Sequence, residues 1–274
     1  NFINTFLNLS NFDHEGRNFF LGEYISYKDI PWYYVPTWIV VTTPIIYLIL
    51  FSLGCAKIFL STLNIKINKT NLILMDHFFL MFVLIPILAV ITLNSTLYNG
   101  WRHMYFIYPG IIIITLVGVD LLIKNIRNIY FLNFFLIVLM LSLLNISSWM
   151  IKNHPHQNVY FNKFAGKKFS SRFELDYWGL TYRENLKFLL NYDTSRKIFL
   201  YNSSKMEMFY MLLCLNEKER SRIEIVRSPN YADYWITNYY NDKNNYDESF
   251  YNKFIMINDI VIDGNSINTV FKKK

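Results

Sequence analysis

Four runs of about twenty apolar residues restrict the fold of this chain more than any other feature. A helix needs about 20 mainly apolar residues to cross the hydrocarbon core of a bilayer. The runs predict membrane helices at about residues 35–57, 72–93, 103–123 and 130–151. Several prolines fall inside or beside the runs, and membrane helices tolerate them because neighbouring helices satisfy the freed carbonyl groups.

The charged residues divide the chain into a membrane part and a soluble part. Only 17% of the residues are charged, against about 25% in an ordinary soluble domain, and few of them lie between Tyr33 and Ile151. From Lys152 onward, acidic and basic residues alternate. The sequence therefore predicts an outer loop at 1–32, a membrane domain at 33–151 and a soluble domain at 152–274.

The soluble part has the pattern of a small α/β domain. The segment "FELDYWGLTYRENLKFLLNY" places apolar residues at amphipathic spacing, which predicts a helix, and "KMEMFYMLLCL" predicts a second one. Short β-type runs occur at "KIFLYN", "RIEIV", "ADYWITN" and "KFIMIND/IVIDG". We interpret the terminal "FKKK" as a frayed, solvated end. The predicted fold class is a polytopic α-helical membrane region followed by a small α/β domain.

The short loops between the apolar runs indicate how the chain lies across the membrane. Lys and Arg beside membrane helices are retained on the cytoplasmic side. The loop with Lys57, Lys66 and Lys69 is basic, and so is the loop with Lys124 and Arg127. Both loops should therefore be cytoplasmic, which places residues 1–32 and the domain at 152–274 outside.

The net charge of +7 does not indicate a nucleic-acid-binding protein. Such a protein needs Lys and Arg clustered on one face or along one helix. Here the basic residues are interspersed with acidic ones throughout the soluble half, so nucleic acid is not an expected partner.

The segment "YNGWRH" places two cationic side chains where the third apolar run begins. An ionised side chain costs far less at a helix end than at the bilayer centre, so Arg102 fits an interfacial anchor as well as a binding role. A planar guanidinium suits bidentate binding of phosphate. We predict a lipid-phosphate site formed by four residues: Tyr98, Trp101, Arg102 and His103.

Two further groups of residues have the chemistry of a substrate site. In the N-terminal outer loop, His14, Glu15, Arg17 and Glu23 could contact a substrate or hold a divalent ion, although an acidic outer loop is also commonly just solvated. In the soluble domain, Asp176, Tyr177 and Trp178 could contact an acceptor, because a flat aromatic ring packs on a sugar face. Alternatively, this cluster has a structural role at the start of the following helix, with Asp176 as the N-cap of that helix.

Three segments resemble one known family. "WRHMYFIYPGIIIITLVG" resembles the arginine-aromatic-proline start of a late membrane helix in family 39 glycosyltransferases, which include protein O-mannosyltransferases and the aminoarabinose transferases of lipid A. "FFLGEYISYKDIPWYYVPTWIVVTTP" is similar to an outer loop and following helix of bacterial members. "HPHQNVYFNKFAG" with "FELDYWGLTYRENLKFL" resembles the junction and first helix of their extracytoplasmic domain.

The resemblance implies a membrane glycosyltransferase of the bacterial inner membrane, with this chain as a fragment of a type C glycosyltransferase architecture. Such enzymes move a sugar from a polyprenyl-phosphate donor to a lipid, protein or polysaccharide acceptor outside the membrane. Their catalytic acidic residue lies in the first outer loop of a full-length chain, so we expect this chain to be a C-terminal part that lacks it. The catalytic residue and any metal ion therefore stay unassigned.

A second class of protein fits the same helices and domain. Four membrane helices followed by a soluble domain also suit a non-enzymatic binding or sensor module, or part of a transporter, because a fold alone does not define chemistry.

Overall fold

The structure is a computed structural model that describes residues 16–63, 71–240, 246 and 248–274. The described chain divides into two compact units. The first takes the described residues of Asn1–Asn18, together with Glu23–Lys152 and Phe161–Gly166. The second takes Phe19–Gly22, Asn153–Tyr160 and the described residues of Lys167–Lys274.

The first unit is helical. Its helices are α1 (Tyr34–Thr42), α2 (Ile45–Leu63), α3 (Asn71–Thr92), α4 (Tyr108–Asn125) and α5 (Ile129–Lys152), and a 3₁₀ turn over Arg102–Ile107 leads into α4. Short strands β1 (Arg17–Phe20) and β2 (Glu23–Ser26) pair near the start of the described chain, and β1 contributes Arg17 and Asn18 to this unit and its last two residues to the second. Within the described residues, four segments are long and apolar enough to cross a membrane: Ile45–Leu63, Leu74–Thr92, Arg102–Asn125 and Ile129–Lys152.

The first apolar run is interrupted, in contrast to the single helix at about 35–57 that the sequence predicts. Pro44 has no N–H to continue the ladder, so α1 ends at Thr42 and α2 begins at Ile45. Asn162 satisfies the carbonyls that this break frees. Its side-chain amide donates to the carbonyl oxygens of Val40, at 2.6 Å, and Thr43, at 2.8 Å.

Helices α2 and α4 approach each other closely through two glycines. A Cβ added to Gly54 would lie 2.0 Å from the carbonyl oxygen of Ile114, and one added to Gly118 would lie 2.0 Å from that of Leu50. Small residues allow this backbone contact between apolar helices, where packing drives association. Near the end of α4, Asp120 binds Lys57 of α2 at 3.1 Å.

The second unit is the α/β domain that the sequence predicts. Its helices are α6 (Gly166–Ser170), α7 (Tyr182–Tyr192), α8 (Met208–Leu212), α9 (Glu217–Arg220) and α10 (Glu248–Lys253). Its strands are β3 (Ile198–Asn202), β4 (Ile223–Ile225), β5 (Tyr234–Thr237), β6 (Phe254–Ile262) and β7 (Asn265–Lys273). They form one sheet in the order β4-β3-β5-β7-β6, in which β3 runs parallel to β4 and β5, and β7 antiparallel to β5 and β6.

The reading of "FKKK" as a frayed end is wrong. Phe271 is buried and the segment belongs to β7, which lies between β5 and β6 in the sheet. Asp263 and Gly264 both have positive φ, 48° and 80°, in the turn that joins β6 to β7. Asp-Gly between two β-type runs is a strong hairpin signal, and it would have placed this strand correctly.

One face of α7 forms the core of the second unit against the sheet. Leu186, Leu189 and Leu190 are buried, as the amphipathic pattern predicts, with Ile198, Leu200 and Ile236 of β3 and β5 in the same cluster. Leu180, which precedes the helix, is exposed instead.

Candidate functional site

The turn before the third candidate span is fixed by a residue that the sequence analysis did not single out. Asn99 and Gly100 both have positive φ, which agrees with the tight turn expected from Asn-Gly. The buried Asn18 side chain donates to the carbonyl oxygen of Leu97 at 3.0 Å and accepts from the backbone N–H of Asn99 at 2.6 Å. The residues are about eighty positions apart, so no local pattern could reveal this contact.

Arg102 and His103 of "YNGWRH" gather around one aromatic ring. The guanidinium carbon of Arg102 lies 4.5 Å from the ring centroid of Tyr98, within the range of a cation–π interaction. The ring of His103 meets the same tyrosine edge-on, with centroids 4.5 Å apart. Three of the four residues predicted to form the phosphate site are therefore brought together.

Trp101, the fourth member of the predicted site, serves a different purpose. It is buried, and its indole Nε1 donates to the hydroxyl of Thr42 at 3.1 Å. Its ring also packs against those of Tyr105 and Tyr108. Trp101 thus ties the turn to the end of α1 and holds Arg102 and His103 in place.

The predicted outer-loop contacts are only partly within the described residues. His14 and Glu15 lie outside them. Arg17 and Glu23 are exposed, at the starts of β1 and β2 respectively. Among the residues that the structure describes, no group of three or more His, Cys, Asp or Glu side chains is placed to hold a metal ion.

Asp176 is completely buried in the second unit. Its carboxylate accepts hydrogen bonds from the backbone N–H of Leu180, at 3.0 Å, and from the hydroxyl of Thr181. Burial raises the pKa of Asp176 to about 6, although the bonds from Thr181, Asn238 and Leu180 act in the opposite direction. The N-cap of α7 is Thr181, so Asp176 organises the turn before the helix and does not itself cap it.

The buried carboxylate is part of a polar network that sequence reasoning missed. The hydroxyl of Tyr182 donates to Asn202 Oδ1 at 2.6 Å and lies 2.7 Å from the hydroxyl of Ser204. Asn238 donates to the backbone carbonyl of Asp176 at 2.8 Å. Asn202 ends β3 and Asn238 follows β5, so the network lies at the carboxyl ends of two adjacent parallel strands.

The two aromatic residues after Asp176 are more accessible. Tyr177 is half-buried, and its ring meets Trp178 and Tyr240 edge-on, with centroids 5.2 Å and 5.3 Å apart. Trp178 is exposed. Of the residues predicted to face an acceptor, these two keep accessible surface for one, whereas Asp176 has none.

The two histidines of "HPHQ" have separate partners. His156 is buried, with its Nε2 3.2 Å from a carboxylate oxygen of Glu184 on α7. His154 Nδ1 lies 2.9 Å from the side-chain nitrogen of Gln157.

A cleft of about 460 Å³ lies beside the end of β7. Trp235, Phe250 and Phe254 contribute aromatic surface to it, and Lys253, Lys273 and Lys274 line it as well. The ammonium groups of the last two already donate to the carbonyl oxygens of Asn230 and Tyr251. These contacts fasten the end of β7 to neighbouring segments.

Comparison of the chain with protein-family models, with curated proteins and with solved structures found no match.

Proposed function

We propose that this chain is the membrane and extracytoplasmic part of a glycosyltransferase that takes a sugar from a polyprenyl-phosphate donor. The acceptor is a lipid, protein or polysaccharide outside the membrane. The proposed location is the bacterial inner membrane, with the second unit outside. Support comes from the three segments that resemble family 39 glycosyltransferases and from the chemistry available around Arg102.

The position of Arg102 is the observation that carries the proposal. Arg102 begins a candidate span, whereas Lys57, Asp120 and Lys124 form a charged cluster near the other end of the same segment. If the basic loops are cytoplasmic, Arg102 lies at the outer face. The retention of Lys and Arg on the cytoplasmic side does not explain an arginine at the outer face. This placement favours a role for Arg102 in binding an anion.

Arg102 is suited to the charge that develops in this reaction. Cleavage of a glycosyl-phosphate bond leaves a phosphate with growing negative charge, and a fixed cation stabilises that charge. The contact with the Tyr98 ring restrains one face of the guanidinium. The planar fork of N–H groups at its edge matches the spacing of phosphate oxygens. Trp101 and Asn18 hold the turn on which both residues lie. No residue is assigned as the catalytic base.

We expect the substitution Arg102→Ala to weaken binding of a polyprenyl phosphate. Loss of a charge-assisted hydrogen bond costs about 1.5–3 kcal/mol, or about 10- to 100-fold in affinity. The measurement is titration of the purified chain in lipid nanodiscs with a polyprenyl phosphate. Turnover by the full-length protein with a sugar-loaded donor should fall by about 10²- to 10³-fold.

Two matched variants make this test specific. Arg102→Lys keeps the charge without the planar fork and should have an intermediate effect. Arg127→Ala removes an exposed arginine beyond the other end of α4 and should leave affinity unchanged. An affinity of Arg102→Ala equal to that of the unsubstituted chain would eliminate the phosphate-binding role.

A ligand-binding module is the second candidate, and the sheet topology favours it. The chain continues from β3 to β4, which lies at one edge of the sheet. From β5 it continues through α10 to β6, which lies at the opposite edge. Ligands of open α/β sheets bind where connections diverge in this way. A module of this kind would show no sugar transfer in the full-length assay, and substitutions of Tyr177 and Trp178 would weaken ligand binding more than Arg102→Ala.

A further inference from the structure

Helix α8 in the second unit is apolar on both faces. Met208, Met211 and Leu212 pack against the core of this unit. On the opposite side Phe209, Tyr210 and Leu213 are exposed. From Met208 to Leu215 the sequence contains no charged residue. A short surface helix normally has a polar outer face, so the apolar outer side of α8 requires a separate explanation.

The loop before α7 enlarges this apolar surface. A Cβ added to Gly179 would lie 2.6 Å from the Met206 methyl carbon and 2.7 Å from the Met211 sulfur, so this loop lies against α8. Trp178 and Leu180, on either side of Gly179, are both exposed. We call the five exposed residues the α8 face, and their exposed fractions run from 42% to 69%: Trp178, Leu180, Phe209, Tyr210 and Leu213.

Basic residues lie beside the α8 face. Burial raises the pKa of the Cys214 thiol, Arg183 and Lys187 lie close enough to act in the opposite direction, and nearby Glu219 acts with burial. Lys187 forms an ion pair with Glu219 at 2.5 Å, so Arg183 is the cation that this surface adds. Cys214 follows Leu213 directly and is exposed. The surface therefore combines Trp, Tyr, Phe and Leu side chains with the nearby cation of Arg183, a composition suited to the interfacial layer of a membrane.

The second unit is covalently connected to a candidate membrane helix, and this connection favours a lipid surface as the partner of the α8 face. Helix α5 is long and apolar enough to cross a membrane and ends at Lys152, and the second unit resumes at Asn153. A tether of this kind holds the unit within reach of the bilayer, so weak contacts act at a high effective concentration. We propose that the α8 face rests in the interfacial layer of the membrane that contains α5. This inference does not depend on the proposed function.

Cys214 allows the contact to be measured in the whole chain. With Cys55→Ser, Cys214 is the only cysteine left, and it can carry an environment-sensitive fluorophore. The probe membrane is phosphatidylcholine vesicles containing phosphatidylglycerol, with or without bromine atoms on the acyl chains. We expect blue-shifted emission that brominated lipid quenches. The same label on Ser195→Cys, in a chain that lacks both native cysteines, should remain solvent-like, because Ser195 is exposed and precedes β3.

Substitution of exposed residues then tests the α8 face itself. The pair Phe209→Ser and Leu213→Ser should abolish the quenching at Cys214 without disturbing the core, since both side chains are exposed. Met256→Ser, at an exposed position on β6, is the matched control and should leave the quenching intact. Solvent-like emission from labelled Cys214 in vesicles would overturn the proposal. A blue shift insensitive to bromination would also overturn it, in favour of a protein partner.

Discussion

Gly118→Ala should destabilise the first unit by about 1–3 kcal/mol, the usual cost of overpacking a close contact. The added methyl group would meet the backbone carbonyl oxygen of Leu50 at 2.0 Å. A backbone atom of a helix cannot move aside alone, so α2 and α4 must separate. Helix propensity predicts the opposite sign, because Gly→Ala inside a helix gains about 1 kcal/mol. The direction of the change therefore distinguishes packing from propensity.

The comparison with Gly110→Ala makes this measurement decisive. Gly110 lies on the same helix, but its added Cβ would meet side-chain atoms of Val83 and Phe82, at 2.8 Å and 3.0 Å, which can shift. Thermal denaturation in detergent of the chain with Cys214→Ser, followed by the fluorescence of a thiol probe at Cys55 on α2, reports on this helix pair. A midpoint for Gly118→Ala at or above that of Gly110→Ala would contradict the close contact.

Asp176→Ala should destabilise the second unit more than any other single substitution considered for it. The change leaves the N–H of Leu180, the hydroxyl of Thr181 and the amide of Asn238 without their common acceptor. A buried donor left unsatisfied costs about 1–3 kcal/mol. We therefore expect a loss of about 3–5 kcal/mol below about pH 4, where the carboxyl group of the unsubstituted chain is protonated, and a smaller loss above pH 6, where its ionisation already destabilises the folded state. Hydrogen exchange of the β3 and α7 amides in the whole chain measures the loss.

Asp176 should also make the stability of the second unit depend on pH. Its pKa is raised to about 6 by burial, whereas an unfolded aspartate has a pKa of about 3.9. Between these two pKa values the folded state keeps the proton on Asp176, whereas the unfolded state has released it. The free energy of unfolding therefore falls as pH rises from about 4 to about 6. The difference in pKa corresponds to a loss of about 3 kcal/mol in the free energy of unfolding, and this loss is complete above the pKa of the folded state.

The variant Asp176→Asn provides the control for this pH dependence. It retains one oxygen acceptor but cannot ionise, so the decline in stability between pH values of about 4 and 6 should disappear. Asp193 should behave in the opposite way. Although burial acts to raise its pKa, hydrogen bonds from Ser195 and Tyr234 hold it below its usual value, so its contribution is lost only in stronger acid. If the free energy of unfolding fell equally with pH in Asp176→Asn and in the unsubstituted chain, the pH dependence would not come from Asp176.

Most of the fold can be read from periodicity and turn chemistry. The four apolar runs, the amphipathic α7 and the strands β3 to β6 all follow from the local order of apolar and polar residues. The error at β7 came from reading "FKKK" by its charge, although Asp263-Gly264 specifies a hairpin. The break at Pro44 was also readable in principle, because proline cannot continue the hydrogen-bond ladder.

The candidate site was less predictable than the fold. The sequence identified Arg102, His103 and Tyr98 as neighbours because they are close along the chain. It could not show that Trp101 is buried and donates a hydrogen bond to Thr42, or that Asn18 fixes the turn. Of its two interpretations of Asp176, an acceptor contact or a helix N-cap, the first requires an exposed side chain, whereas the structure buries Asp176 completely.

Local sequence specifies which segments of this chain are apolar enough to cross a membrane, which alternate as strands, and where turns form. These depend on the chemistry of residues within a few positions of one another. Tertiary packing sets which polar groups are buried, as Asp176 and Asn162 show, and which apolar side chains stay exposed, as on the α8 face. Burial depends on distant segments that pack over a side chain, and a single local pattern does not encode them.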